Sequence, residues 1–277
     1  MVLAAATSIQ FGAALAARMF DNVGPAGASL LRLGFAAVAL LAIWRPRLSR
    51  HDPRHLRLAL LFGLALGAMN LCFYEALDRL PLGPAVTIEF AGPVAVAVAF
   101  SRRRLDLLWV ALAVGGILLL SDPFGAGGLN GLGLVYVLGA AACWAAYIVL
   151  GQRASRVFSG GTGLSLAATV AALVPLGPGI AQGGGTLLHP HFLALGAAVA
   201  LLSSVIPYTL EMESLRRIPA HIFGVLMSLE PAVATLAGFI VLGQHLAARD
   251  LVAIALVIAA SVGVTRATMS APPLEQA

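Results

Sequence analysis

Long apolar runs alternate with short polar connections along this chain, and the runs match the thickness of a membrane. A helix crosses roughly 30 Å of hydrocarbon with about 20 apolar residues. On that measure the pattern predicts spans at 2–20, 26–44, 57–77, 83–100, 106–121, 130–151, 162–181, 192–212, 219–242 and 249–266. The connections carry the breakers: Arg45-Pro46-Arg47, Asp52-Pro53, Leu80-Pro81-Leu82-Gly83, Asp122-Pro123-Phe124-Gly125 and His189-Pro190-His191. Proline and glycine there end one helix and open the next. The expected fold is all-α, a polytopic membrane protein with ten transmembrane helices.

Composition supports lipid as the solvent. Charged residues make up only 10% of the chain against 60% hydrophobic, and the mean hydropathy is +0.95. A soluble domain carries about 25% charged residues, so most of this surface is expected to face the bilayer. The first span has no basic residue before it, so it is not read as a cleaved signal. Met1 stands almost at the membrane edge.

Charge then gives an orientation. All 17 basic residues are arginine, and the pI is near 10.0. They lie in short clusters between apolar runs, the pattern of topology signals, so no nucleic-acid partner is expected. With the N-terminus inside, the inner connections hold Arg45, Arg47, Arg50, Arg54, Arg57, Arg102, Arg103, Arg104, Arg153, Arg156, Arg216 and Arg217, with Arg266 on the tail. The outer connections hold Arg18, Arg79 and Arg249. That asymmetry puts both termini in the cytoplasm. Arg32 lies within a span.

Two segments repeat. Leu77-Asp78-Arg79-Leu80-Pro81 leads to Gly92-Pro93, and Leu215-Arg216-Arg217-Ile218-Pro219 leads to Glu230-Pro231, with both prolines displaced by the same 138 residues. The first segment belongs to the fourth span and the second to the ninth, so the unit is five helices. An odd unit inverts the second half in the membrane. The expected domains are a first repeat at 1–121, a second at 130–266 and a cytoplasmic tail at 267–277. Inverted repeats place a solute site near the midplane and allow alternating access.

Several stretches carry a family resemblance. They are Ser8-Ile9-Gln10, Gly67-Ala68-Met69-Asn70 through Tyr74, Pro81-Leu82-Gly83 and Glu89-Phe90-Ala91-Gly92-Pro93. To these add Ala142-Cys143-Trp144-Ala145-Ala146-Tyr147, Pro207-Tyr208-Thr209-Leu210-Glu211-Met212 and Phe223-Gly224 to Glu230-Pro231. Together they resemble the drug/metabolite transporter superfamily, and within it the EamA-type inner-membrane exporters of the threonine/homoserine kind. The resemblance covers nearly the whole chain. It implies two EamA repeats in the cell inner membrane and proton-driven export of small amino acids. The chain departs from the family pattern at Gly243-Gln244, where an acidic residue often follows the glycine.

Ionisable groups at membrane depth are costly and face a cavity or a partner. Arg32 and Glu89 each lie about 10 Å below the outer surface at 1.5 Å per residue. Arg32 is a candidate for the substrate carboxylate and Glu89 for its ammonium or for a proton. A structural ion pair between the two is the competing reading. Pro93 has no N–H for the carbonyl of Glu89, and Pro231 has none for Met227, so a kink is expected at each. Glu230, close to mid-membrane, is the leading candidate for proton coupling, since its charge would follow access to one side.

Gln10, Asn70, Trp144, Tyr147 and Tyr208 lie inside spans and are candidates to line the cavity; for Tyr147 an interfacial belt is an equal reading. Glu75, Glu211 and Glu213 are read as interfacial. Gly63, Gly67, Gly115 and Gly116 are expected at close helix contacts. Cys72 and Cys143 sit in apolar runs and are read as small core residues. The six histidines sit at loops or helix ends, and no nucleophile elbow, phosphate loop or zincin pattern is present. No catalytic residue, metal or cofactor is therefore expected.

The leading reading is a proton antiporter of small amino acids, a monomer or weak homo-oligomer whose partners are its substrate, protons and lipid. An exporter of another amphipathic metabolite, such as an aromatic amino acid, is the alternative. An intramembrane enzyme is the remote one.

Overall fold

The computed structural model describes residues 1–46, 52–99, 106–121, 129–207, 210, 214 and 226–269. All regular structure among them is helical. The first five helices are α1 (Val2–Ala17), α2 (Phe20–Trp44), α3 (Pro53–Leu77), α4 (Leu82–Glu89) and α5 (Ala91–Ala99). They are followed by α6 (Asp106–Ser121), α7 (Gly131–Val157), α8 (Thr162–Leu173), α9 (Leu176–Gly183) and α10 (Pro190–Ala200). A 3-10 turn, Gly184–Leu188, follows α9, and a π-helical turn, Leu201–Val205, continues α10. The last two are α11 (Glu230–Leu242) and α12 (Ala248–Met269).

By length and apolar composition, α2, α3 and α7 are each able to cross a membrane. The pair α8 and α9, bent by 47° beside Pro175, makes a fourth if counted as one span. Five further apolar helical stretches, Val2–Ala17, Leu82–Val96, Leu108–Leu119, Pro190–Val205 and Glu230–Leu242, are shorter at 10–17 residues.

The helix starts follow local chemistry. Asp52 accepts a hydrogen bond from the Arg54 N–H at 2.7 Å and Pro53 occupies the first turn of α3. Asn130 caps α7 by accepting from the Gly133 N–H at 2.9 Å. In α2 the backbone leaves helical geometry at Gly24, with φ 70° and ψ 162°, so the regular helix begins at Pro25. Gly24 is needed there for two reasons: L-residues avoid that φ, and a side chain would collide with Gln182.

Burial is inverted relative to a soluble protein. Large apolar side chains such as Val38, Leu61, Val135, Leu173, Phe239 and Val252 are exposed on the helices. Gln10, Arg32, Asn70, Glu75, Glu89 and Glu230 are buried. Water would not tolerate that much outward apolar surface, whereas lipid does.

Small residues let the helices approach. A Cβ at Gly63 or Gly67 would meet backbone of α8, and one at Gly116 would meet the Ala253 carbonyl of α12. Gly115, expected at a close contact, instead faces open space. Helix α3 packs on α7 and α8, α2 on α8, α9 and α10, and α1 on α10, α11 and the π turn. Helix α4 packs on α7 and α11, α5 on α7, and α6 on α12.

Polar ties fix one end of this assembly. The Gln182 side chain accepts from the Ala26 N–H at 2.8 Å and donates to Glu75 at 3.0 Å. Arg79 pairs with Glu75 at 2.9 Å. Glu75, expected near the interface, is thus buried within a three-helix network. Gln244, the residue that departs from the family pattern, accepts from the Leu82 N–H at 3.0 Å and so caps the start of α4 from the far end of α11.

Candidate functional site

Most of the candidate side chains surround one cavity. Its volume is about 350 Å³, and its walls include Gln10, Arg32, Asn70, Glu89, Pro93, Trp144, Tyr147 and Glu230. Tyr208 lies outside the described residues. Pro231 does not line the cavity; it occupies the first turn of α11, one residue after Glu230.

Proline chemistry explains how two of the acids arrive there. The Phe90 N–H bonds to the Val86 carbonyl and the Val94 N–H to the Phe90 carbonyl, but Pro93 has no N–H to offer Glu89. The helix is interrupted at Phe90, and Glu89 ends α4 at the cavity wall. In the second half the chain turns at Ser228 and Leu229, and α11 starts at Glu230 with Pro231 in its first turn. By sequence, Pro231 predicts a kink inside a continuing helix. Proline instead opens a new helix, because its fixed φ suits the first turn and its missing N–H is not needed there.

The basic group is held by two elements. Arg32 Nη2 donates to the Ser203 carbonyl at 3.1 Å and Nη1 to the Tyr74 hydroxyl at 3.3 Å. The guanidinium also sits 5.5 Å from the centroid of the Tyr74 ring. Its Nε has no hydrogen-bond partner among the described residues. Arg32 and Glu89 form no ion pair with each other, although both line the cavity. A guanidinium and a carboxyl group therefore line one cavity without contacting each other.

The remaining walls are mostly apolar or hydroxylated, with the amides Gln10 and Asn70 and the acid Glu230 among them. Phe90 meets Trp144 edge-on at 5.1 Å, and Tyr147 stacks on Phe62 at 4.9 Å. Asn70 donates to the Leu66 carbonyl one turn back at 2.8 Å. Two lining residues that sequence reasoning missed are Ser203, on the π turn, and Ser261, on α12 and 2.8 Å from Ser228 Oγ. The pair Ser203-Ser204 in an apolar run was the available signal, but neutral hydroxyls are common in membrane helices and do not stand out.

Comparison with known proteins decides the family. The chain is 43% identical to the threonine/homoserine exporter RhtA of Salmonella typhimurium (strain SL1344), over 100% of its own length and 94% of that protein. It is 44% identical to the protein of that name in Escherichia coli (strain K12), over 96% of this chain and 90% of the other. Residues 131–266 match the EamA-like transporter family. The chain belongs to the EamA-like transporter family. It is accordingly a membrane transport protein and not an enzyme. The family match spans α7 to most of α12, the half that contributes Trp144, Tyr147, Ser203, Glu230 and Ser261 to the cavity. A solved crystal structure aligns with 99% of this EamA-like chain and 98% of its own at a TM-score of 0.61. At 19% identity that likeness concerns the fold alone.

Proposed function

We propose that this protein exports small amino acids of the threonine and homoserine type across the cell inner membrane, by alternating access coupled to proton entry. The observation that carries this reading is that the buried guanidinium of Arg32 and the buried carboxyl group of Glu89 line one cavity without a mutual ion pair. A zwitterion offers both complements. Its carboxylate suits the donors that Arg32 still has available, a planar fork matched to carboxylate oxygens. Its ammonium suits Glu89. The names of the relatives support this solute class, and export is taken from the same names. Gln10, Asn70, Trp144, Tyr147 and Tyr208 complete the binding set in this reading.

The cavity volume favours a small solute, since about 350 Å³ is at the lower end of the roughly 300–1,000 Å³ usual for small-molecule pockets. The Phe90 and Trp144 walls are the observation in favour of a larger amphipathic solute such as an aromatic amino acid. The volume ranks that reading second.

Alternating access rests on ten crossings in two inverted five-helix repeats, with both termini cytoplasmic. The helix packing supports such an arrangement. Let α1 exchange with α7, α2 with α8 and α9, α3 with α10, α4 and α5 with α11, and α6 with α12. Most major packings then map onto another, with α2 on α3 an exception: α3 on α7 becomes α10 on α1, and α1 on α11 becomes α7 on α4 and α5. Likewise α2 on α10 becomes α8 on α3, while α4 on α11 and α6 on α12 map onto themselves. A two-fold relation between halves produces that pattern, and an odd unit inverts it across the membrane.

Proton coupling is assigned to Glu230, buried at the cavity next to Pro231, with Glu89 as the second acid. The test is counterflow of labelled threonine in proteoliposomes, with and without a pH gradient. Glu230→Gln should lose the stimulation by the gradient and retain exchange. Undiminished stimulation would move the coupling elsewhere, and absence of counterflow with every amino acid would overturn the solute class.

A further inference from the structure

We propose that Gln182, Gln244 and Arg18 form an outer gate: each caps a helix end across the junction between residues 1–121 and residues 130–266, and all three caps must release for the solute to leave. This rests on the alternating-access and orientation readings above and deepens them by naming what holds the outer end shut. The three ties share one chemistry. A helix leaves its first N–H groups and its last carbonyls without partners of its own. Where the regular part of α2 begins, after Gly24, the Ala26 N–H donates to Gln182 Oε1 at 2.8 Å. Where α4 begins, after Pro81, the Leu82 N–H donates to Gln244 Oε1 at 3.0 Å. Where α11 ends, the Gly243 and Gln244 N–H groups take the Phe239 and Gly238 carbonyls, and Arg18 Nη2 donates to the Val241 carbonyl.

Every capping side chain comes from the other side of the junction. Gln182 and Gln244 reach back to helices of residues 1–121, and Arg18 reaches forward to α11. In the order of crossings the sequence predicts, the ends of α1, α3, α9 and α11 and the starts of α2 and α4 all belong to the outer surface. Gln182 also donates to Glu75 at 3.0 Å, which Arg79 holds at 2.9 Å, so α3 is tied in at the same level. Glycine leaves room for both amides: a side chain at Gly24 would collide with Gln182, and one at Gly238 would crowd Gln244 Oε1. Caps suit a gate because only terminal bonds cross the junction, and the bonds along each helix stay intact as it moves. When the two parts rock apart at an aqueous end, water takes over the freed N–H and carbonyl groups. Opening then leaves no buried polar group unsatisfied.

The test follows access to the cavity in full-length protein whose Cys72 and Cys143 are replaced by Ala. Met69→Cys, on the cavity wall, is the reporter, labelled by a membrane-impermeant maleimide in sealed right-side-out vesicles. Gln182→Ala and Gln244→Ala should each raise the initial labelling rate at least about threefold, as expected for a lost helix cap. Gln244→Glu places a carboxylate at the start of α4, which the helix dipole favours, and should slow labelling at least about twofold. Unchanged rates in all three variants overturn the gate. A rise in all three, Gln244→Glu included, means loosened packing and overturns the capping argument. A second arm locks the same end. A Cβ at Gly83 would lie 3.2 Å from that of Thr235, near the roughly 3.5–4.5 Å of a disulfide. Oxidation of the Gly83→Cys, Thr235→Cys protein should abolish threonine exchange in proteoliposomes, and a reductant should restore it, so the reduced protein is its own control for folding. Full exchange by the cross-linked protein overturns the proposal. No amino-acid exchange by the unsubstituted protein overturns the solute reading, while the labelling rates, which need no solute, still decide the gate.

Discussion

At the scale of single residues, the costly side chains were the legible ones. A charge or amide inside an apolar run has few reasons to be there, so Gln10, Arg32, Asn70, Glu89 and Glu230 stood out in the sequence, and the fold gathers them around one cavity. Ser203 and Ser261 did not stand out, because a hydroxyl is tolerated anywhere a helix can bond it to itself. The tie from Glu75 to Gln182 is not legible locally, since the two are 107 residues apart. Arg32 makes the sharpest residue-level prediction. Replacement by Lys keeps the charge but removes the fork that spans Ser203, Tyr74 and a bound carboxylate, so threonine exchange should fall at least about tenfold. Full activity in Arg32→Lys would show that charge alone suffices. Glycines separate packing from function. A side chain at Gly92 would collide with the Ala141 carbonyl oxygen, whereas one at Gly115 meets nothing within 4 Å. Gly92→Val should lower stability by about 1–3 kcal/mol, and Gly115→Ala should leave it equal or raise it by up to about 1 kcal/mol. Thermal unfolding in detergent measures both.

At the scale of elements, the apolar runs coincide with helices, but among the described residues only α2, α3 and α7 are each long and apolar enough to cross a membrane alone. Breaks inside runs were only partly legible. Pro93 announced the interruption between α4 and α5, but the 47° bend beside Pro175 and the π turn at Leu201–Val205 were not foreseen. A π turn is stabilised by donors from other helices, here Ser8 and Arg32, and no local pattern encodes those. The break at Phe90 also leads to a test. Pro93→Ala returns an N–H to the Glu89 carbonyl, which should straighten the path from α4 to α5 and hold or raise the unfolding temperature. If the interruption serves the transport cycle, initial rates of threonine exchange should drop in the same variant. A rate equal to the unsubstituted protein's would leave the break a matter of packing.

At the scale of the whole molecule, the inverted arrangement is the claim on which alternating access depends, and the arginine bias and the exchangeable packing of the helices converge on it. The connection after α2 is rich in arginine, while its counterpart after α9 carries none. If the halves are inverted, these equivalent connections lie on opposite sides of the membrane; if they are parallel, they lie on the same side. Arg45 and Gly185 are both exposed at the two positions, and a side chain at Gly185 meets nothing within 4 Å. Single cysteines at each, in a background where Cys72 and Cys143 are replaced by Ala, separate the alternatives. In sealed right-side-out vesicles a membrane-impermeant maleimide should label Gly185→Cys and spare Arg45→Cys until the membrane is opened. Labelling of both from outside would make the halves parallel. Labelling of Arg45→Cys alone would keep the inversion but reverse the orientation, placing the arginine-rich connections outside against the positive-inside bias.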